Sequence, residues 1–143
     1  GIAQWHMHLA NEVMATGMVT TPTGRQFAFP DVTRQQGGRV THFTAIKNYP
    51  VQSISTDIVQ VTLLLVEEYM RQKELHSLIV NSVHDSIVID TYPGEEEQVK
   101  HSISEAEQTL RTALLQRLEV DIDVELPMDC KIGPNWMSVV EYA

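Results

Sequence analysis

Basic residues are scarce in this 143-residue chain: ten Lys and Arg stand against nineteen Asp and Glu, a formal net charge of −9. That balance argues against a simple nucleic-acid-binding module, whose footprint is a basic face. Cysteine is scarcer still. The single thiol, Cys130, excludes an internal disulfide framework and fits a reducing cytoplasm. No apolar run is long enough to cross a bilayer, so no membrane partner is expected. No basic segment followed by an apolar one opens the chain, so nothing suggests export. Gly1 rather than Met stands first, which reads as a processed, trimmed or partly ordered polypeptide. Internal repeats and low-complexity tracts are also missing.

What is there is ordinary for a folded protein: 43% hydrophobic and 20% charged residues, in a chain long enough for one domain with a modest core. The charge is unevenly spread. Residues 18–52 hold Arg25, Arg34, Arg39 and Lys47 against Asp31 alone, whereas the C-terminal third is strongly acidic. The acidic part reads as a solvated face; the basic part either faces a phosphate backbone or balances the rest.

Ile2, Trp5, Leu9, Val13 and Met14 recur at helical spacing up to Gly17, a C-terminal stop. Residues 18–21 and 25–29 read as two strands around the turn Pro22-Thr23-Gly24. Residues 31–41 read as an exposed loop. A long helix is predicted from Ile54 to Met70, apolar nearly all round its centre and therefore buried on most sides. A hairpin follows over residues 77–91. After Pro93-Gly94, Glu95-Glu96-Glu97 places carboxylates at the N-terminus of a helix that runs to about Leu118 on the stripe Val99, Ile103, Ala106, Leu110, Leu114 and Leu118. Strict alternation from Val120 to Leu126 predicts a half-exposed strand, and Gly133-Pro134-Asn135-Trp136 ends the pattern. The fold class is α+β, a small antiparallel sheet of hairpins plus a C-terminal strand, backed by about three helices. A helix apolar on all sides is short of neighbours in so small a chain.

The chemistry concentrates in NSVHDSIVID, where His84 and Asp85 sit between two β-branched segments. Such a tip is either solvated turn chemistry or a presented catalytic group. Asp90 cannot assist Asp85. The two differ in parity along the strand and lie roughly 16 Å apart, whereas paired catalytic metals lie about 4 Å from each other. A small metal-dependent nuclease would need a second carboxylate close to Asp85. His6, His8 and Glu12 make no convincing metal set, and Cys130 reads as a small, partly buried thiol. In KNYPVQS, the amides of Asn48 and Gln52 suit base edges. The same segment also reads as a helix entry with Ser53 or Ser55 as N-cap.

TPTGRQFAFPD, NYPVQSISTDIV, LIVNSVHDSIVID and GPNW, in that order and spacing, resemble the C-terminal palm of a family A DNA polymerase of the bacterial DNA polymerase I type, with the phage branch closest in flavour. The resemblance covers essentially the whole chain. It implies a DNA-directed DNA polymerase acting in DNA replication. Asp85 matches the motif C ligand of two catalytic Mg²⁺ ions, and His84 the residue beside the primer terminus. Asn48 and Gln52 match the N-x-P-x-Q element that contacts the duplex through the minor groove. Arg25 matches an arginine of the G-R-x-R turn near nucleic acid, although Phe27 replaces the second arginine. Ser86 stands where many relatives carry Glu.

The implied partners are primer-template DNA, a dNTP and an upstream polymerase portion with fingers, thumb and the motif A carboxylate that completes the Mg²⁺ site. The chain would act as one segment, residues 1–143, in the cytoplasm of a bacterium or a phage-infected host, and alone would be incomplete and inactive. The competing expectation is a non-catalytic palm-like scaffold or DNA-binding interaction protein.

Overall fold

The computed structural model describes residues 1–142. They form two compact units, one of Gly1–Ile58 with Leu118–Val120, the other of Val59–Arg117 and the described residues from Asp121 onward.

In the first unit, α1 (Ile2–Thr16) ends at Gly17, whose left-handed φ of 74° lets its N–H close on the Val13 carbonyl at 2.8 Å. Strands β1 (Met18–Thr20) and β2 (Gln26–Ala28) pair antiparallel, with Val19 opposite Phe27. Gly24, at φ 82°, turns the chain between them. Leu9, Ala10 and Val13 of α1 pack with Val19, Phe29, Val40 and Ile46 into one buried cluster. Each large apolar side chain buried there contributes about 1.5–3 kcal/mol. The predicted stripe is buried only in its second half, since Ile2 and Trp5 are exposed. In the polar loop, Arg34 bridges to Val40.

The long helix differs from expectation. α2 spans Phe43–Gln72, eleven residues earlier than predicted, and Pro50 lies inside it. KNYPVQS is therefore helix interior, and Ser53 is no N-cap: its buried hydroxyl donates to the Pro50 carbonyl at 3.1 Å. Proline removes one N–H from the ladder, but the ring is buried, and tertiary packing overrides the local preference.

In the second unit, α2 ends at Gln72 and the turn after it places Glu74 in left-handed geometry (φ 55°), with Leu75 N–H on the Met70 carbonyl at 3.1 Å. α2 is less enclosed than expected: Val61, Leu65, Val66 and Met70 are buried, but Leu64 is 45% exposed. Strands β3 (Leu78–Val83) and β4 (Ser86–Asp90) pair antiparallel with an irregularity at Val80. Helix α3 (Glu96–Leu118) buries Val99, Ser102, Ala106, Leu110, Ala113 and Leu114, close to the expected stripe. Tyr69 to Thr109 (3.0 Å), Lys73 to Glu105, and Arg117 to Glu68 (3.3 Å) join α3 antiparallel to α2.

Residues 120–126 do not form the predicted strand. Alternation only permits a strand; hydrogen-bonded pairing makes one, and no described strand pairs there, leaving Val124 63% exposed. Nor does the pattern end at GPNW. β5 (Lys131–Ile132) pairs with β6 (Val140–Glu141) around a single 3₁₀ turn, Trp136–Ser138, capped by the Asn135 side chain. The α+β class holds, with three helices, but the strands form three separate two-stranded antiparallel sheets among the described residues rather than one.

Candidate metal centre and nucleic-acid interface

The β3–β4 hairpin forms as expected, and Val83 pairs with Ser86, so His84-Asp85 is the whole turn. Two-residue hairpin loops favour positive φ to match strand twist, and His84 supplies it at φ 54°. Both tip residues are exposed. The Asp85 carboxylate has no hydrogen bond or ion pair among the described residues. It is a free, hard oxygen donor of the kind Mg²⁺ prefers.

A single carboxylate is not a metal site. Asp90 lies opposite Leu78 at the other end of the hairpin, and the described residues contain no group of three or more His, Cys, Asp or Glu placed to hold an ion. The donor chemistry fits Mg²⁺; the donor number among the described residues does not.

In the first unit, Asn48 and Gln52 stand i,i+4 on α2 and are both exposed. That spacing puts their amides on one helix face, an outcome of the helix running through Pro50. Arg25, at the end of the β1–β2 turn, is about half exposed and pairs with Asp57 of α2. Thr23 donates to the other Asp57 oxygen at 2.6 Å. Burial opposes the charged form of Asp57, but the Arg25 guanidinium and the Thr23 hydroxyl together hold its carboxyl below the ordinary range. Nine residues and half a helical rotation separate Asp57 from Asn48, so Arg25 is anchored on the face of α2 opposite Asn48. The structure thus brings together His84 with Asp85, and Asn48 with Gln52, while Arg25 stands apart from the two amides.

Two polar networks escaped the sequence reading. Asp57 is one, hidden in an apolar-looking helix. The other is Glu95, which the sequence shows only as a charge at the helix N-terminus. Its carboxylate accepts the His76 and Ser77 N–H groups, at 2.9 Å each, and the Ser77 hydroxyl at 2.7 Å. Burial pushes its pKa up, yet these donors bring it down to about 2. A carboxylate shortly after a hairpin and before a helix was the available signal, but its partners lie eighteen and nineteen residues away. Cys130 is partly buried, which raises its thiol pKa and suits a packing role.

Together these features define an α+β segment with an acidic hairpin tip and an amide-bearing helix face. The sequence matches the model of DNA polymerase family A over residues 1–138, and the chain belongs to that family. It is 25% identical over 122 residues to DNA polymerase I of Aquifex aeolicus, covering 84% of this chain and 19% of that protein. It is 28% identical over 123 residues to the mitochondrial DNA polymerase I B of Oryza sativa subsp. japonica, covering 84% of this chain and 11% of the relative. The fold is similar to the POL domain of Pol1 from M. smegmatis in complex with DNA primer-template and dNTP. That likeness has a TM-score of 0.63 at 22% identity and covers 78% of this chain and 19% of the other. The chain thus spans less than a fifth of the length of these relatives. Among the described residues no helix is long and apolar enough to cross a membrane.

Proposed function

We propose that this chain is the C-terminal palm segment of a DNA-directed DNA polymerase of the phage branch, working in the cytoplasm, and that Asp85 is one of two carboxylates anchoring its catalytic Mg²⁺. The observation that carries the reading is the partnerless Asp85 carboxylate at the tip of a two-residue turn, in a chain of the polymerase A family. The other carboxylate, the fingers and the thumb are supplied by an upstream portion, so the chain alone does not extend primers.

In this reading Asp85 holds one oxygen donor at the reacting phosphoryl group, and His84 meets the primer terminus. Mg²⁺, when held there by Asp85 and the second carboxylate, would supply activation of the 3′-hydroxyl and neutralisation of developing phosphoryl charge. Asn48 and Gln52 read the minor groove, whose acceptors are largely shared by all base pairs, so they check pair geometry without reading sequence. Arg25 steadies the turn beside the nucleic acid. The acidic net charge is compatible with this, since most of the DNA-gripping surface belongs to the upstream portion.

The test is primer extension by the polymerase that contains this chain, native against Asp85→Ala. Loss of extension with primer-template binding retained is expected. Native-level extension by Asp85→Ala refutes the assignment.

A further inference from the structure

The Asp85 turn stands at the end of a hairpin in which no residue is fully buried, Ile79, Ile87, Val88 and Ile89 being only partly covered. Leu78 is 64% and Val80 57% exposed, and strand pairing ties β3 to β4 without tying either to anything else. An isolated two-stranded hairpin is marginal. Its direction must be set at the root.

There, one acidic side chain gathers every leg. Glu95 is the residue that caps α3 at its start, because the Val99 N–H donates to its carbonyl at 2.9 Å. Its carboxylate takes the two N–H groups that lead into β3. It also takes the Ser77 hydroxyl, which in turn accepts the Tyr92 N–H leaving β4 at 2.9 Å. The His76 ring nitrogen lies 3.1 Å from the same carboxylate, and its ring lies 5.2 Å from that of Tyr92. Ser77 is 5% exposed and the Glu95 side chain 13%, so water competes weakly for these bonds. Such charge-assisted bonds are roughly twice as strong as neutral ones.

We propose that Glu95 is a positioning residue: it locks both legs of the β3–β4 hairpin to α3 and thereby fixes where Asp85 is presented. The proposal rests on the reading of Asp85 as a metal ligand. The lever is long. The tip lies roughly 20 Å from the root at ~3.3 Å per residue, so a tilt of about 5° there moves Asp85 by nearly 2 Å. A displacement of about 1 Å in a reacting group costs on the order of 10²-fold in rate.

The test uses the complete polymerase with Glu95→Gln, and separately Ser77→Ala, which removes the hydroxyl bridge while leaving Glu95 in place. Two quantities are read: amide exchange across the hairpin and α3, and the Mg²⁺ concentration that gives half-maximal primer extension. Glu95→Gln is expected to speed exchange at least tenfold in residues 78–90 while residues 99–114 hold, and to raise the Mg²⁺ half-saturation severalfold. Ser77→Ala shifts both in the same direction by less. Unchanged hairpin exchange in both variants overturns the proposal. So does equal acceleration throughout α3, or faster hairpin exchange with an unmoved Mg²⁺ half-saturation, since either makes Glu95 structural only. Normal primer extension by Asp85→Ala refutes the underlying reading, a failure distinguishable from the others because it leaves the exchange data intact.

Discussion

Gly133 opens the GPNW segment, and the structure gives it a task unrelated to backbone freedom. A Cβ there would meet the Ser138 carbonyl oxygen in hard overlap and lie 2.8 Å from both the Ser138 carbonyl carbon and the Val139 Cα. Ordinary carbon contacts sit at about 3.5–4.0 Å, and every obstructing atom is backbone, so no rotamer relieves them. Gly133→Ala must therefore push β6 away from β5. Among the described residues two pairs form that ladder, Lys131 with Glu141 and Ile132 with Val140, extended by the Tyr142 N–H to the Cys130 carbonyl at 2.9 Å. Overpacking of this kind costs about 1–3 kcal/mol, a fall in Tm of roughly 3–10 °C for a chain of this size. A local reporter separates this from general loss. The Tyr142 hydroxyl donates to Glu97 and its ring lies under the Lys100 ammonium, 4.7 Å from the centroid. The bond to Glu97, with burial, pushes the Tyr142 pKa up to about 12. When β6 detaches, the phenol should titrate near the ordinary tyrosine value of about 10, visible in the tyrosinate difference spectrum. A Gly133→Ala protein with native Tm, and with Tyr142 still titrating near 12, refutes the close-approach argument.

Asn48→Ala and Gln52→Ala are each expected to weaken primer-template binding about fivefold, the worth of one hydrogen bond of about 1 kcal/mol. The loss should be the same for every terminal base pair and leave Tm unchanged; a loss confined to one base pair contradicts minor-groove checking. Acid should loosen the hairpin root. Glu95 titrates at about 2 when folded, against its ordinary 4.5; a depressed folded value gives stability that is present above 4.5 and disappears as pH falls towards 2. The urea midpoint of the native protein should therefore converge on that of Glu95→Gln between those limits, and a constant gap would count against the network.

Where local and tertiary preferences agree, the sequence was legible. Gly17 stops α1, the α3 stripe is buried nearly as spaced, and β-branched runs flank the His84-Asp85 turn. Where they compete, it was not. Pro50 signals a break, yet α2 passes through it because Phe43, Ile46 and Pro50 are drawn against or into buried surroundings. The alternation in residues 120–126 signals a strand that finds no described partner. Asp57 and Glu95 look like solvent-facing charges until donors distant in the chain close on them.

The sequence by itself determined the α+β class, the family, the isolation of Asp85 from Asp90 and the place of Asp85 at a turn, because each depends on residue type and short-range spacing. Only the tertiary structure decided that Asn48 and Gln52 share a helix face, that Arg25 is anchored by Asp57, and that Glu95 grips the root of the hairpin. Those facts depend on which distant groups meet, and hydrogen bonds and burial fix that only when the chain has folded.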